Sequence, residues 1–477
     1  MVLADQGIRR HDRVAIMLDN SSESVISVFG ILKAGAVFII VNPTMKAKKL
    51  NYILRDSTSR VLITHVSKSQ IISEALKEVP HLESVLWVGL PDQTLGRLAP
   101  SVHSLSWDEV MLSTPGLQPI VKQHSTIDVD LASIIYTSGS TGEPKGVMCA
   151  HYNMVSSAQS ITEYLGNLES DIILDALPLS FDYGLYQVLM AFLFGGTVVL
   201  EKSFLYPYKI LEKVAGESVT GFPVVPTMVA LILQMADLSK FDFGSLRYIT
   251  NTAAPLPVAH IRKLQALLLH VKIFSMYGLT ECKRVSYLPP DQLGKRPESV
   301  GIPMPNAEVS IVDESGNFVP VGEVGELVVR GSNVMQGYWN APEETTKRFR
   351  PGRYRGETLL YTGDLFRRDE EGFLYFVART DDMIKTRGER VSPKEIENAL
   401  CEMAGVAEAA VIGVPDEISG QAIKAFIVAK KDAVITDTDI MVYCTKNLES
   451  FMIPKYVQFK DALPKTPSGK VDKKLLQ

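Results

Sequence analysis

The chain's densest run of chemically capable residues is Tyr136-Thr-Ser-Gly-Ser-Thr-Gly-Glu-Pro-Lys-Gly-Val147, which crowds three glycines and four Ser or Thr hydroxyls behind an apolar stretch. Backbone N–H groups and hydroxyls in such a loop suit phosphate oxygens, and Lys145 adds a cation. It is not a Walker A loop, which closes on Gly-Lys-Ser/Thr before a helix; here Lys145 follows Pro144 and precedes Gly146. The plain alternative is a polar surface turn. A second lysine, Lys470, ends Thr466-Pro-Ser-Gly-Lys470 and, taken alone beside Lys465, Lys473 and Lys474, reads as an ordinary surface lysine.

Four further strings stand in order with these two segments along nearly the whole chain: Leu32-Lys-Ala-Gly35, Tyr277-Gly-Leu-Thr-Glu281, Tyr361-Thr-Gly-Asp364 and Arg379 through Arg390. On this set the chain resembles the adenylate-forming superfamily of AMP-dependent acyl-CoA synthetases, peptide-synthetase adenylation domains and luciferase. Two features depart from the pattern. Ala378 stands where a glycine usually precedes the arginine, and members usually carry several tens of residues before the strand that here starts at Arg13, so a shortened start is expected.

The resemblance implies an AMP-forming acid–thiol ligase of the acyl-CoA synthetase type. A carboxylate attacks the α-phosphate of ATP to give an acyl-adenylate and pyrophosphate, and a thiol then takes the acyl group. The first step brings an anion against a polyanion, so cations must surround the reacting phosphate. By resemblance, Lys470 bridges the carboxylate and phosphate, Glu281 holds Mg²⁺, and Lys145 joins Thr137, Ser138, Gly139, Ser140, Thr141 and Gly142 around the phosphates, with Gly278 and Thr280 nearby. Asp364 takes the ribose hydroxyls and Arg379 contacts ribose or phosphate. Tyr277 lies against adenine beside Asn251, Thr252 and Ala253, although a core aromatic is the plain reading of Tyr277. Asp381 is the implied hinge, and Arg387 and Gly388 line the thiol tunnel.

Acyl-pocket candidates by motif offset are Asp182, Tyr183, Phe222, Met276, Arg284 and Val285. Asp182 stands where many fatty-acyl members have histidine and amino-acid-activating members have aspartate. It could meet a substrate ammonium or pair with a protein cation such as Lys283 or Arg284. Arg284 could equally greet an acidic or hydroxylated acid. The implied partners are ATP, Mg²⁺, a small carboxylic acid and, as thiol acceptor, coenzyme A or the phosphopantetheine of a separate acyl carrier protein, since no carrier segment follows Gln477. The alternatives are a free-standing amino-acid adenylation enzyme and a non-catalytic nucleotide-binding relative. The joint presence of Lys145, Glu281, Asp364 and Lys470 favours catalysis over the latter.

The elements that must position these residues follow from the hydropathy pattern. Strand-like runs Arg13 to Leu18, Arg60 to Thr64 and Gly195 to Leu200 alternate with helix-like stretches such as Ser22 to Lys33, which predicts α/β layers around largely parallel sheet. From Ala307 onward, Ala307 to Val312, Gly325 to Arg330 and Gly372 to Val377 read as antiparallel β. A small α+β unit follows, with a Ser392-Pro-Lys-Glu395 capping box, a helix over Pro393 to Leu400, β-rich runs Ala407 to Val414 and Ala422 to Ala429, and a helix from Asp437 to Asn447. The expected domains are 1–379, an adenylation core, and 380–477, a mobile lid.

Composition agrees with this. The 477 residues are 46% hydrophobic and 22% charged, within the globular range, and the net charge of −5 gives no basic footprint for nucleic acid. Cys149, Cys282, Cys401 and Cys444 are too scattered for zinc pairs or a disulfide framework, and the charged N-terminus lacks an export signal's apolar core, so a cytoplasmic setting is expected. The uncharged stretch Tyr183 to Leu200 is split by Gly195-Gly196 and reads as buried core, with no membrane anchor.

Overall fold

A computed structural model of the chain describes residues 2–89, 102–112, 126–137, 144–235, 237–380, 382–386, 389–416, 420–431, 433–448, 450–466 and 469–476. The fold is α/β, with a large N-terminal region and a smaller C-terminal one. Two sheets form the first part of the large region. One is built from β1 (Arg13–Met17), β2 (Val37–Ile40), β3 (Val61–His65), β4 (Ser84–Val88), β5 (His103–Ser106), β6 (Leu131–Thr137) and β7 (Lys145–Ala150) in the order β5-β4-β3-β1-β2-β6-β7. Every pair in it is parallel except β6–β7. Its central strands are near-continuous apolar runs such as Val14, Ala15, Ile16 and Met17, all fully buried, as strands covered on both faces must be.

The second sheet contains β8 (Ile172–Asp175), β9 (Thr197–Leu200), β10 (Gly221–Val224), β11 (Tyr248–Asn251), β12 (Lys272–Tyr277), β13 (Ser286–Leu288) and β14 (Ile302–Pro303) in the order β14-β13-β12-β11-β10-β8-β9. It is parallel from β9 to β12 and antiparallel beyond. The uncharged stretch divides as expected: helix Asp182–Phe194 ends at Gly195, whose φ of 80° is left-handed, and β9 follows. No helix among the described residues is long and apolar enough to cross a membrane.

The third sheet is antiparallel: β15 (Ala307–Val312), β16 (Gly325–Gly331), β17 (Phe349–Pro351), β18 (Thr358–Arg368) and β19 (Leu374–Arg379), in the order β15-β16-β18-β17 with β19 on β18. Its last strand starts two residues later than the sequence predicts. Asp369 caps the turn by accepting from the Glu371 and Phe373 amides, and Gly372, at φ 90°, belongs to that turn.

The C-terminal sheet comprises β20 (Ile384–Thr386), β21 (Glu389–Val391), β22 (Val406–Asp416), β23 (Gly420–Ala429) and β24 (Tyr456–Phe459) in the order β21-β20-β23-β22, with β24 parallel to β23. Helices Pro393–Glu402 and Asp437–Asn447 contribute Ile396, Leu400, Ile440 and Cys444 to a core with Ile384, Val411, Ile423 and Ala425. The predicted Ser392 capping box does not form. Its hydroxyl donates instead to the Val377 carbonyl of β19, 2.6 Å away, tying the small unit to the large one. A reciprocal box does form at the other helix, where the side chains of Thr436 and Asp439 each take the other's backbone amide.

Candidate active site

The register of two antiparallel strands builds the centre. Asp364 in β18 stands opposite Arg379 in β19, and Tyr277, the last residue of β12, reaches the same carboxylate from the neighbouring sheet. The Tyr277 hydroxyl donates to Asp364 Oδ2 at 2.6 Å, and Arg379 Nε lies 3.1 Å from Oδ1. That contact is an ion pair without hydrogen-bond alignment, so the buried Oδ1 accepts no hydrogen bond. The carboxylate raises the guanidinium's pKa, and burial followed by the Asp364 charge pushes the Tyr277 phenol well up, which keeps it a donor. The Tyr277 ring packs edge-on against Phe366, so Tyr277 is both a core aromatic and a site residue.

The loop after Tyr277 folds back on itself. Val285 donates to the Tyr277 carbonyl, and a Cβ on Gly278 would stand 2.3 Å from the Lys283 carbonyl oxygen and 2.9 Å from the Arg284 Cα, so this position excludes a side chain. Thr280 and Glu281, both half-buried, lie on this loop, and Glu281 Oε1 accepts from the Tyr338 hydroxyl at 2.6 Å. On the adjoining strand end, Asn251 donates to Ala254 O while its own Oδ1 is buried without a partner. Thr252 is buried, and Ala253 holds φ 76°, a strained conformation for a residue with a Cβ.

Thr137 and Lys145 are register partners at the open end of the β6–β7 pair, so the predicted phosphate loop spans a hairpin. Ser138, Gly139, Ser140, Thr141 and Gly142 lie outside the described residues, as do Asp381, Arg387 and Gly388. Lys145 Nζ pairs with Glu344 Oε2 at 2.6 Å and helps pull that carboxyl down to about 2. Tyr338 and Glu344 escaped the sequence reading because 57 and 199 residues separate them from their partners. No local pattern signals such pairs.

Lys470 is carried to this centre by the small unit. Gly469, at φ 80°, sits so close to helix Pro226–Leu233 that a Cβ on it would stand 3.0 Å from Thr227 Oγ1. Lys470 is exposed by surface area, and it stands within charge range of this centre: removal from water and the Arg379 charge lower its ammonium pKa, against the opposing pull of Asp182, Asp364 and Glu281. The three carboxylates that act on it are the ones the sequence singled out. Among the described residues no three His, Cys, Asp or Glu side chains gather as a metal site.

At the acyl end Asp182 opens the helix Asp182–Phe194, and its Oδ2 lies 3.4 Å from Lys283 Nζ, with both side chains buried. Of the two partners open to Asp182, the structure supplies the protein cation. The Lys283 ammonium also lies 4.2 Å from the Tyr186 ring centroid, and burial lowers its pKa to about 7 despite the Asp182 charge. Arg284 is fully buried, its guanidinium 5.5 Å from the Tyr183 ring centroid. Tyr183, Phe222 and Met276 share one core cluster, whereas Val285 packs with Cys149, Leu185 and Cys282 in another. The structure therefore does not bring all the pocket candidates together.

A family model described as "AMP-binding enzyme" matches residues 1–339, and its C-terminal domain counterpart matches residues 395–470. A long-chain-fatty-acid–CoA ligase of Salmonella typhimurium is 31% identical over 98% of this chain and 85% of its own length. Gramicidin S synthase 2 of Brevibacillus brevis is 32% identical over 100% of this chain, a stretch that makes up 10% of that protein. The crystal structure of an anthranilate–CoA ligase in complex with anthranoyl-AMP superposes with a TM-score of 0.89 at 30% identity, covering 100% of this chain and 88% of that one.

Proposed function

The chain belongs to the AMP-binding enzyme family, and we propose that it is an acid–CoA ligase of the acyl-CoA synthetase type, working through an acyl-adenylate. One observation carries the assignment of roles: a buried carboxylate, Asp364, keeps one oxygen on Tyr277 and one oxygen without a hydrogen bond, in the cleft that also receives Lys470. A ribose hydroxyl fits the open oxygen. Asn251 Oδ1, equally without a partner, suits an adenine amino group.

In the first half-reaction the substrate carboxylate oxygen attacks the α-phosphorus and pyrophosphate leaves. Lys470 holds the two anions together, with Arg379 beside it, and Lys145 and the Thr137–Lys145 hairpin loop face the departing phosphates. Glu281, its Oε1 fixed by Tyr338, would hold Mg²⁺, which binds through one or two carboxylates plus substrate phosphates. When bound, it would neutralise phosphate charge. In the second half-reaction the thiol sulfur attacks the acyl carbon, loses its proton, and AMP leaves. Residues 380–477 would rotate about Asp381 to admit the thiol past Arg387 and Gly388.

The amino-acid-activating alternative needs Asp182 for a substrate ammonium, and the Lys283 pair weighs against it. ATP–pyrophosphate exchange with fatty, aryl, hydroxy and amino acids tests the reading. Exchange that depends on an acid, followed by thioester formation with coenzyme A, is the expected outcome; a folded, ATP-binding protein with no exchange would refute it.

A further inference from the structure

We propose that the acyl pocket takes a carboxylic acid bearing a second, distal anionic group, whose partner is the Arg284 guanidinium. This rests on the ligase reading above. Arg284 is 2% exposed, its Nε is buried without a hydrogen-bond partner, and among the described residues no carboxylate lies within ion-pair distance of it. A guanidinium presents five donors and stays charged, so burying it uncompensated is costly unless a ligand supplies the anion.

Among the described residues no surrounding group supplies Arg284 with a carboxylate. The Tyr183 hydroxyl donates to Thr250 O at 2.8 Å, and the Tyr164 hydroxyl, 3.0 Å from Met276 Sδ, is a neutral hydrogen-bond partner of Arg284 that leaves the positive charge unbalanced. Asp182 faces Lys283. Asp175 is buried, with Oδ1 on the Leu177 amide and Oδ2 unpartnered; burial raises its pKa well above the ordinary carboxylate value, and no ion pair joins it to Arg284 among the described residues. A substrate ammonium is disfavoured twice, because its carboxylate is occupied and Arg284 repels it. The Arg284 Cα lies beside Gly278, next to Tyr277, so the backbone that carries this cation adjoins the nucleotide end of the cleft. The acid's reacting carboxylate would face Lys470 and its second anion Arg284.

The test is ATP–pyrophosphate exchange by the full chain with monocarboxylic acids of about four to ten carbons, each matched to its α,ω-dicarboxylic acid, with benzoate matched to the phthalates and amino acids alongside. The best diacid should exceed its matched monoacid in kcat/KM by at least about tenfold, equivalent to about 1.4 kcal/mol. Arg284→Met should reverse that order and melt no lower than the wild type, because it removes an uncompensated buried charge. Arg284→Lys should retain part of the preference. A wild-type preference for a monoacid or an amino acid overturns the proposal while the ligase reading stands, as does a diacid preference that survives Arg284→Met. The wild-type comparison decides even where a variant fails to fold. No exchange with any acid overturns the ligase reading and this inference with it.

Discussion

The nucleotide end and the acyl end of one cleft solve the problem of buried charge differently. At the nucleotide end three charges meet close protein partners: Asp364 with Tyr277 at 2.6 Å, Glu281 with Tyr338 at 2.6 Å, Lys145 with Glu344 at 2.6 Å. At the acyl end the Asp182–Lys283 contact is looser, at 3.4 Å, Arg284 has no carboxylate among the described residues, and Asp175 is driven toward its neutral form. A nucleotide is the same in every turnover, so its cradle can be preorganised. An acyl pocket left electrostatically incomplete gives the ligand that completes it an advantage over one that does not.

The largest effect that could break this contrast is on stability. Measured well below pH 7, where Lys283 keeps its proton, Asp182→Ala strands a buried ammonium and should cost about 3–5 kcal/mol in denaturant unfolding, with most of it recovered by Asp182→Asn combined with Lys283→Met. A loss under about 1 kcal/mol would show that the acyl-end pair is no more than a surface contact. Next, Lys470→Ala should lower acid-dependent exchange by about 10²–10³-fold while thioester formation from supplied acyl-adenylate stays close to wild type. Equal loss of both half-reactions would remove Lys470 from its adenylation role. Asp364→Asn removes a charge-assisted acceptor worth about 1.5–3 kcal/mol, so the Kd for ATP should rise roughly ten- to a hundredfold by calorimetry, with the melting temperature little changed. The most gradual effect is on pH. Lys283 sheds its proton near pH 7 in the folded chain and near 10.5 unfolded, so between those values the unfolded chain binds the extra proton and stability rises with pH. Relative to the Asp182→Asn, Lys283→Met double variant, the wild type should gain up to about 1.4 kcal/mol per unit across that window; a flat difference would mean that the ammonium is not desolvated.

Much of the scaffold was legible. Helices Ser22–Lys33 and Asp437–Asn447 form over the spans that the sequence places them in, and the glycine pair at 195 and 196 marks where helix gives way to strand. The Tyr277 and Asp364 strings were legible because a loop's tight turns and charged atoms recur as short local patterns, and these two side chains meet although 87 residues apart in the chain. Ser392 misled, since a hydroxyl that could cap its own helix found a carbonyl fifteen residues back in another strand. Tyr338 and Glu344 were invisible for the same reason: which surface comes to rest against which is decided by packing of whole sheets. The sequence left Lys283 and Arg284 both open as partners of Asp182, and only the folded chain, with Lys283 Nζ 3.4 Å from the carboxylate, separates them.

Gly469 gives the small unit its seat. With φ at 80° and Thr227 Oγ1 3.0 Å from where a Cβ would stand, position 469 resists a side chain, because both the backbone and its neighbour would have to give. On the proposed rotation of residues 380–477, a branched residue there would leave every reactive group in place and act as a wedge, raising the energy of the docked posture relative to the undocked one. Each increment of about 1.4 kcal/mol would shift the ratio of postures tenfold, and with it the relative speed of forming the adenylate and discharging it. One missing methyl group would then weigh on the division of labour between the two proposed half-reactions.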